Sequence, residues 1–128
     1  DMRNHPEFGR RLFWFDDASD ADLAMAYARC TAVLAPSYAE GYGLPLSEAA
    51  AVGKPVICSD IPVFREIGRD GALYFRVNDP QALAATVRGF AAGTLTADPA
   101  RILQPTWRAF ARALVDLLRD GAGNARPA

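Results

Sequence analysis

Two glutamates, Glu40 and Glu48, bracket the stretch EGYGLPLSE, with Gly41 and Gly43 close behind the first and Pro45 between the two. A carboxylate accepts hydrogen bonds and repels phosphate, so its natural ligand partners are hydroxyls. Glycines carry no Cβ, which lets backbone amides come close to a bound molecule. Pro45 marks a helix start, because its missing N–H falls among the amides that a first turn leaves unpaired. The free N–H groups and positive dipole end of such a helix attract phosphate. Hydroxyls beside phosphates describe a nucleotide sugar. The same residues also fit an ordinary strand-to-helix corner, where the dipole alone favours Glu48 by about 0.3–1 kcal/mol. These residues taken alone leave both readings open.

The neighbouring segments must position this turn. Ahead of it AVLAP, residues 32–36, is a continuous apolar run, expected to be a strand buried on both faces. After it the helix with Pro45 in its first position runs to a stop at Gly53. PVICSD (55–60) reads as the next buried strand, PVFREI as a short helix ending at Gly68, and ALYF (72–75) as another strand. Asp79-Pro80 opens a helix through Ala92, with Gly93 as its stop. Upstream, RLFWFD (11–16) is expected to be a strand, and Ser19 with Asp22 forms a capping box for a helix to about Arg29. A closing helix near Pro105 places Trp107, Phe110, Ala111, Leu114, Leu117 and Leu118 on one apolar face.

Short apolar strands alternating with helices predict an α/β fold, a parallel sheet covered by helices. The organisation expected is a polar leader (1–10), one domain (11–120) and a flexible tail (121–128). Four strands fall short of the roughly five or six of a complete doubly wound domain, so the first strand-helix units are expected to be missing. The 128 residues match the size of one domain, and 51% hydrophobic with 23% charged residues is a globular profile. Fourteen basic residues against fifteen acidic ones exclude sequence-independent nucleic-acid binding, which needs a basic surplus. Cys30 and Cys58 sit in apolar surroundings without metal-ligand or redox spacing, and read as small buried hydrophobes. No metal or cofactor is expected. No apolar run reaches membrane-spanning length and the first ten residues are polar, which makes the cytoplasm the expected compartment.

The segment PSYAEGYGLPLSEAAAVGKPVICSD resembles the donor-binding signature of retaining GT-B glycosyltransferases, a class that includes bacterial mannosyltransferases and glycogen synthases. Its mark is two glutamates with seven residues between them and Gly-aromatic-Gly-Leu-Pro after the first. RLFWFDDASDADLAMAYARCTAVLAPS, IPVFREIGRDGALYF and TWRAFARALVDLL resemble the flanks. The resemblance implies an incomplete, Rossmann-like carboxy-terminal domain of a GT-B fold. It implies that Glu40, the catalytic candidate, meets hydroxyls of the donor hexose. Gly41, Tyr42, Gly43 and Leu44 would face sugar and diphosphate, and Glu48, as a buried carboxylate, would accept from the ribose. Phe15, Asp16 and Asp17 would border the base. The donor is a nucleotide sugar, with GDP-mannose the first choice, and departure of the nucleoside diphosphate is metal-independent. A glycan or lipid-linked acceptor would be held by an amino-terminal domain that this chain lacks, and work at the inner face of the membrane is compatible with that.

The departures count too. The resemblance places the basic residues that neutralise the diphosphate ahead of this chain's first residue. Lys54 and Arg65 are the nearest cations by sequence, and His5 lies in the polar leader with a surface role expected. The fragment is expected to be inactive alone and to self-associate through the closing helix or an open sheet edge. Two other classes stay in view. A dinucleotide-binding oxidoreductase half would use GYGLPLS and Asp60, although the third glycine of its fingerprint is missing. A ligand-free α/β interaction module would use none of the site residues.

Overall fold

The computed structural model describes residues 2–104 together with 106, 111, 112 and 115. The chain forms two compact units, Asp1–Cys30 and Thr31–Ala128.

The first unit carries one helix, α1 (Asp20–Arg29). Its start is the expected capping box: the Asp22 amide donates to Ser19 Oγ at 3.2 Å, and the Ser19 amide donates to Asp22 Oδ2 at 3.0 Å. The hydrogen bond from Ser19 holds the Asp22 carboxyl below the ordinary carboxylate range. The expected strand at 11–16 does not form. Among the described residues this unit has a single bridge, Phe8 to Leu12, and Phe13, Trp14 and Phe15 are exposed. A strand is defined by its partner, and an aromatic run without a ladder to join stays irregular.

The second unit holds three parallel strands in the order β1 (Val33–Ala35), β2 (Val56–Ser59), β3 (Leu73–Phe75). Val33 pairs with Val56 and Ile57 with Leu73, so the carboxyl ends of all three strands point the same way. Helices α2 (Leu44–Ala51), α3 (Pro62–Gly68) and α4 (Pro80–Ala91) make the connections and the cover. This is the α/β, Rossmann-like architecture expected. Every residue of β2 is buried, but Leu34 in β1 is 46% exposed, which corrects the expectation of burial on both faces. Among the described residues β1 pairs only with β2 and is an edge strand.

The core is Leu46, Ala49 and Ala50 of α2, the strand β2, and Phe64 with Ile67 of α3. Leu46, Ala49 and Ala50 recur at the three- and four-residue spacing of one helix face. Leu44, not Pro45, is the first residue of α2, and Pro45 in second place still lies where amides have no helical acceptor. The helix stops at Val52 and Gly53 takes φ 68°. Helix α4 begins at Pro80 with Asp79 Oδ1 accepting from the Ala82 amide at 2.9 Å, and Gly93 (φ 72°) follows its end. Of the expected closing helix, Ala111, Arg112 and Val115 are helical; Trp107, Phe110, Leu114, Leu117 and Leu118, like the tail 121–128, lie outside the described residues.

A 3-10 turn at Pro99–Arg101 pins the unit together. The Asp98 amide donates to the Gly71 carbonyl at 2.9 Å and the Leu103 amide to the Ile67 carbonyl at 2.8 Å. A Cβ on Gly71 would stand 2.6 Å from the Asp98 carbonyl oxygen and 2.9 Å from the Ile102 nitrogen. Both neighbours are backbone, so neither can swing aside. Gly71→Ala is therefore expected to destabilise the second unit by about 1–3 kcal/mol, the usual range for overpacking, and urea denaturation of the variant measures it.

Candidate functional site

The loop from β1 to α2 leaves the carboxyl end of the sheet, where open parallel sheets bind ligands. Ser37 Oγ donates to Glu40 Oε1 at 2.8 Å. That bond orients the half-buried carboxylate, and among the described residues the second oxygen remains open. Ser37 was no candidate from sequence; a hydroxyl three residues ahead of Glu40 is the signal that could have found it.

The two glycines differ in kind. Gly43 is buried at φ 74°, and a Cβ there would stand 3.3 Å from Ile67 Cγ1. It serves the fold. Gly41 has ordinary φ and open space where a Cβ would be. No neighbour among the described residues asks for glycine at 41. Among the described residues the amides of residues 41–44 donate to no acceptor, and no side chain caps α2. Tyr42 and Leu44 flank them with exposed side chains.

Glu48 is exposed on α2, which corrects the expected burial. The helix buries its Leu46, Ala49 and Ala50 face, and Glu48, two residues beyond Leu46, lies more than half a turn away from that side chain. The structure thus brings Glu40, Gly41, Tyr42, Gly43, Leu44 and Glu48 together on one loop and helix start. Phe15, Asp16 and Asp17 belong to the first unit. There Phe15 is exposed and Asp16 accepts from Arg3 Nη2 at 3.0 Å and from Trp14 Nε1. His5 is exposed, with Nδ1 accepting from the Glu7 amide at 3.2 Å.

Of the two cations singled out by sequence, Arg65 is already engaged. Arg65 Nε and Nη2 donate to the two oxygens of Asp60 at 2.7 and 2.8 Å. Its guanidinium lies 3.8 Å from the centroid of the Tyr74 ring. The hydrogen bond from Arg65 holds the Asp60 carboxyl below the ordinary carboxylate range. Lys54 follows the far end of α2 from Gly43. Burial pushes the Cys58 thiol up to about 12, as befits an inert core residue, while Cys30 is half-buried. Among the described residues no group of three or more His, Cys, Asp or Glu side chains is arranged to hold a metal ion.

Residues 5–102 match the family Glycosyl transferases group 1. The chain belongs to this family. It is 46% identical over 86 residues to the serotype-specific mannosyltransferase WbdA of Escherichia coli, covering 67% of this chain and 11% of that protein. It is 35% identical over 82 residues to the O-antigen chain mannosyltransferase RfbU of Salmonella typhimurium, covering 64% of this chain and 23% of that one. Sucrose-phosphate synthase from Thermosynechococcus elongatus superposes with a TM-score of 0.57 at 28% identity, over 80% of this chain and 28% of its own. The fold is therefore that of a GT-B glycosyltransferase domain. The chain spans between a tenth and a quarter of the length of these mannosyltransferases.

Two measurements check the site's local physics. Gly43→Ala is expected to cost about 1–2 kcal/mol, the penalty of a left-handed residue with a Cβ, whereas Gly41→Ala should leave urea stability unchanged. Asp60 should titrate below the usual Asp value near 3.9, and carbon-detected NMR should move its midpoint up in Arg65→Leu. Because the folded value is the lower one, the pair's contribution is full above the ordinary Asp range and fades as pH falls through the depressed value. With side chains 53% and 45% exposed, that contribution is no more than about 0.2–1 kcal/mol.

Proposed function

We propose that this chain is the donor-binding part of a retaining mannosyltransferase that moves a hexose from a nucleotide sugar, GDP-mannose in the first instance, to a glycan or lipid-linked acceptor. The observation that carries this reading is the contrast between the two glycines. Gly41 is spared by the fold, stands beside unengaged amides, and follows a carboxylate whose orientation Ser37 sets. In that arrangement the amides of residues 41–44 and the start of α2 take the diphosphate. They stabilise the negative charge that grows on it as the sugar departs. Glu40 holds hydroxyls of the hexose, and Glu48, extending from the solvent face of α2, accepts from the ribose. The names of the relatives, mannosyltransferases in several cases, support the sugar.

Neutralising the diphosphate needs cations. Arg65 is held by Asp60 and Tyr74, so under this reading the basic residues come from elsewhere in the full protein, as does most of the acceptor site. The fragment would accordingly be inactive alone. The dinucleotide-binding alternative fits less well, because its ribose-binding carboxylate would be Asp60, whose two oxygens both accept from Arg65. Among the described residues no helix is long and apolar enough to cross a membrane, and we place the reaction in the cytoplasm, at the inner face of the membrane where the acceptor is lipid-linked.

Calorimetry on the full-length protein tests the division of labour. Glu48→Ala should weaken GDP binding about tenfold or more, since a hydrogen bond to a charged group is worth about 1.5–3 kcal/mol. Unchanged GDP affinity would remove Glu48 from the site. Glu40→Ala should leave GDP affinity alone while impairing GDP-mannose binding and turnover. Equal losses for both ligands would sink that assignment.

A further inference from the structure

A concavity of about 290 Å³ opens at the carboxyl end of the same sheet. Its floor is where β2 and β3 end, at Ser59 and Phe75, and its far wall is the start of α4 with Asn78, Asp79 and Leu83. Tyr38, 74% exposed, stands at the rim on the β1 side. The volume is near the lower end of the range for ligand pockets, about 300–1,000 Å³, which suits one small ring and not a nucleotide.

The lining says what kind of ring. Phe75 and Leu83 make an apolar wall. Ser59 is 1% exposed and is the one buried polar residue among the described residues. Asn78 is held at φ 60°, a left-handed conformation that Asn tolerates better than most residues. Among the described residues no Lys, Arg or His lines the cavity. The start of α4, which would otherwise attract an anion, is already covered by the Asp79 carboxylate. Asp79 also pairs with Arg76 Nη1 at 3.8 Å, and Arg76 stands outside the lining, so the cavity itself offers a phosphate no cation. An uncharged ligand with apolar faces and hydroxyls at its edge is matched on both counts: faces against Tyr38 and Phe75, hydroxyls toward Ser59 and Asn78.

The position links this cavity to the donor loop. Pro36 and Tyr38 line it, and Ser37 between them holds Glu40 by its hydroxyl. One five-residue segment, Pro36 to Glu40, thus contributes to both places. We propose that the cavity binds a neutral sugar ring of the acceptor glycan, so that the donor-binding domain itself contributes an acceptor subsite. The proposal rests on the glycosyltransferase reading given above.

The test uses the full-length protein with labelled Ile, Leu and Val methyl groups, titrated separately with a mannose disaccharide and with GDP. The disaccharide should shift the methyl signals of Val77 and Leu83, and GDP should shift those of Leu44 and leave Val77 and Leu83 in place. Tyr38→Ala, at an exposed position that cannot endanger folding, should weaken the disaccharide about fivefold with GDP affinity unchanged. Leu83→Trp, which fills the cavity, should abolish the disaccharide shifts. Signals of Val77 and Leu83 that stay still at saturating disaccharide, or shifts confined to Leu44, would overturn the subsite. If GDP fails to move Leu44 while the disaccharide still moves Val77 and Leu83, the donor reading falls and the sugar-binding cavity stands.

Discussion

Gly43 turns the chain from β1 into α2, and it can do so only in a left-handed conformation pressed against Ile67 and Phe64 of α3. The residue is buried, and a Cβ there would crowd Ile67 Cγ1 at 3.3 Å. Everything at the carboxyl end of the sheet follows from this contact. It fixes where α2 begins, and so where its unpaired amides stand. It sets Leu46, Ala49 and Ala50 onto the sheet, which in turn leaves Glu48 facing water. Helix α3 is held in its own place by close approaches of the same kind. A Cβ on Gly68 would meet the Tyr74 hydroxyl at 2.5 Å, and that hydroxyl donates to the Arg69 carbonyl at 2.7 Å.

The charges around α3 are arranged to stay at home. Asp60 and Arg65 form a two-pronged pair over the Tyr74 ring, and burial pushes the Tyr74 hydroxyl up to about 12. A guanidinium so placed closes the turn after β2 and is poorly available to a diphosphate. Beneath it Cys58 is buried and keeps its proton. This corner supports the start of α3 with its charges paired among themselves, which fits the proposed reading in which the loop before α2 meets negative charge with its amides.

The loop between β1 and α2 is used on both sides. One side presents Glu40 and the open amides; the other gives Pro36 and Tyr38 to the cavity over β2 and β3. A parallel sheet makes this possible, because all three strands deliver their connections to the same end. In the proposed reading, two ligand groups meet loops whose anchors are rigid.

Sequence alone determined whatever depends on neighbours along the chain. The Ser19–Asp22 box, the Asp79-Pro80 start of α4, the glycine stops and the buried run at 56–59 are local preferences that tertiary packing left in place. The residues from Glu40 to Glu48 stay together in the fold for the same reason: they lie on one loop and one helix start. Tertiary structure decided what depends on partners far along the chain. Residues 11–16 did not become a strand because a ladder is made between segments, and Leu34 is exposed because β1 has one paired side among the described residues. Only packing separated Gly43, which Ile67 requires, from Gly41, which nothing in the fold requires. Only the gathering of strand ends placed Tyr38, Ser59, Phe75 and Asn78 around one cavity. Spacing in sequence reports backbone propensity within a few residues; which side chains share a wall is set by burial, and burial belongs to the whole fold.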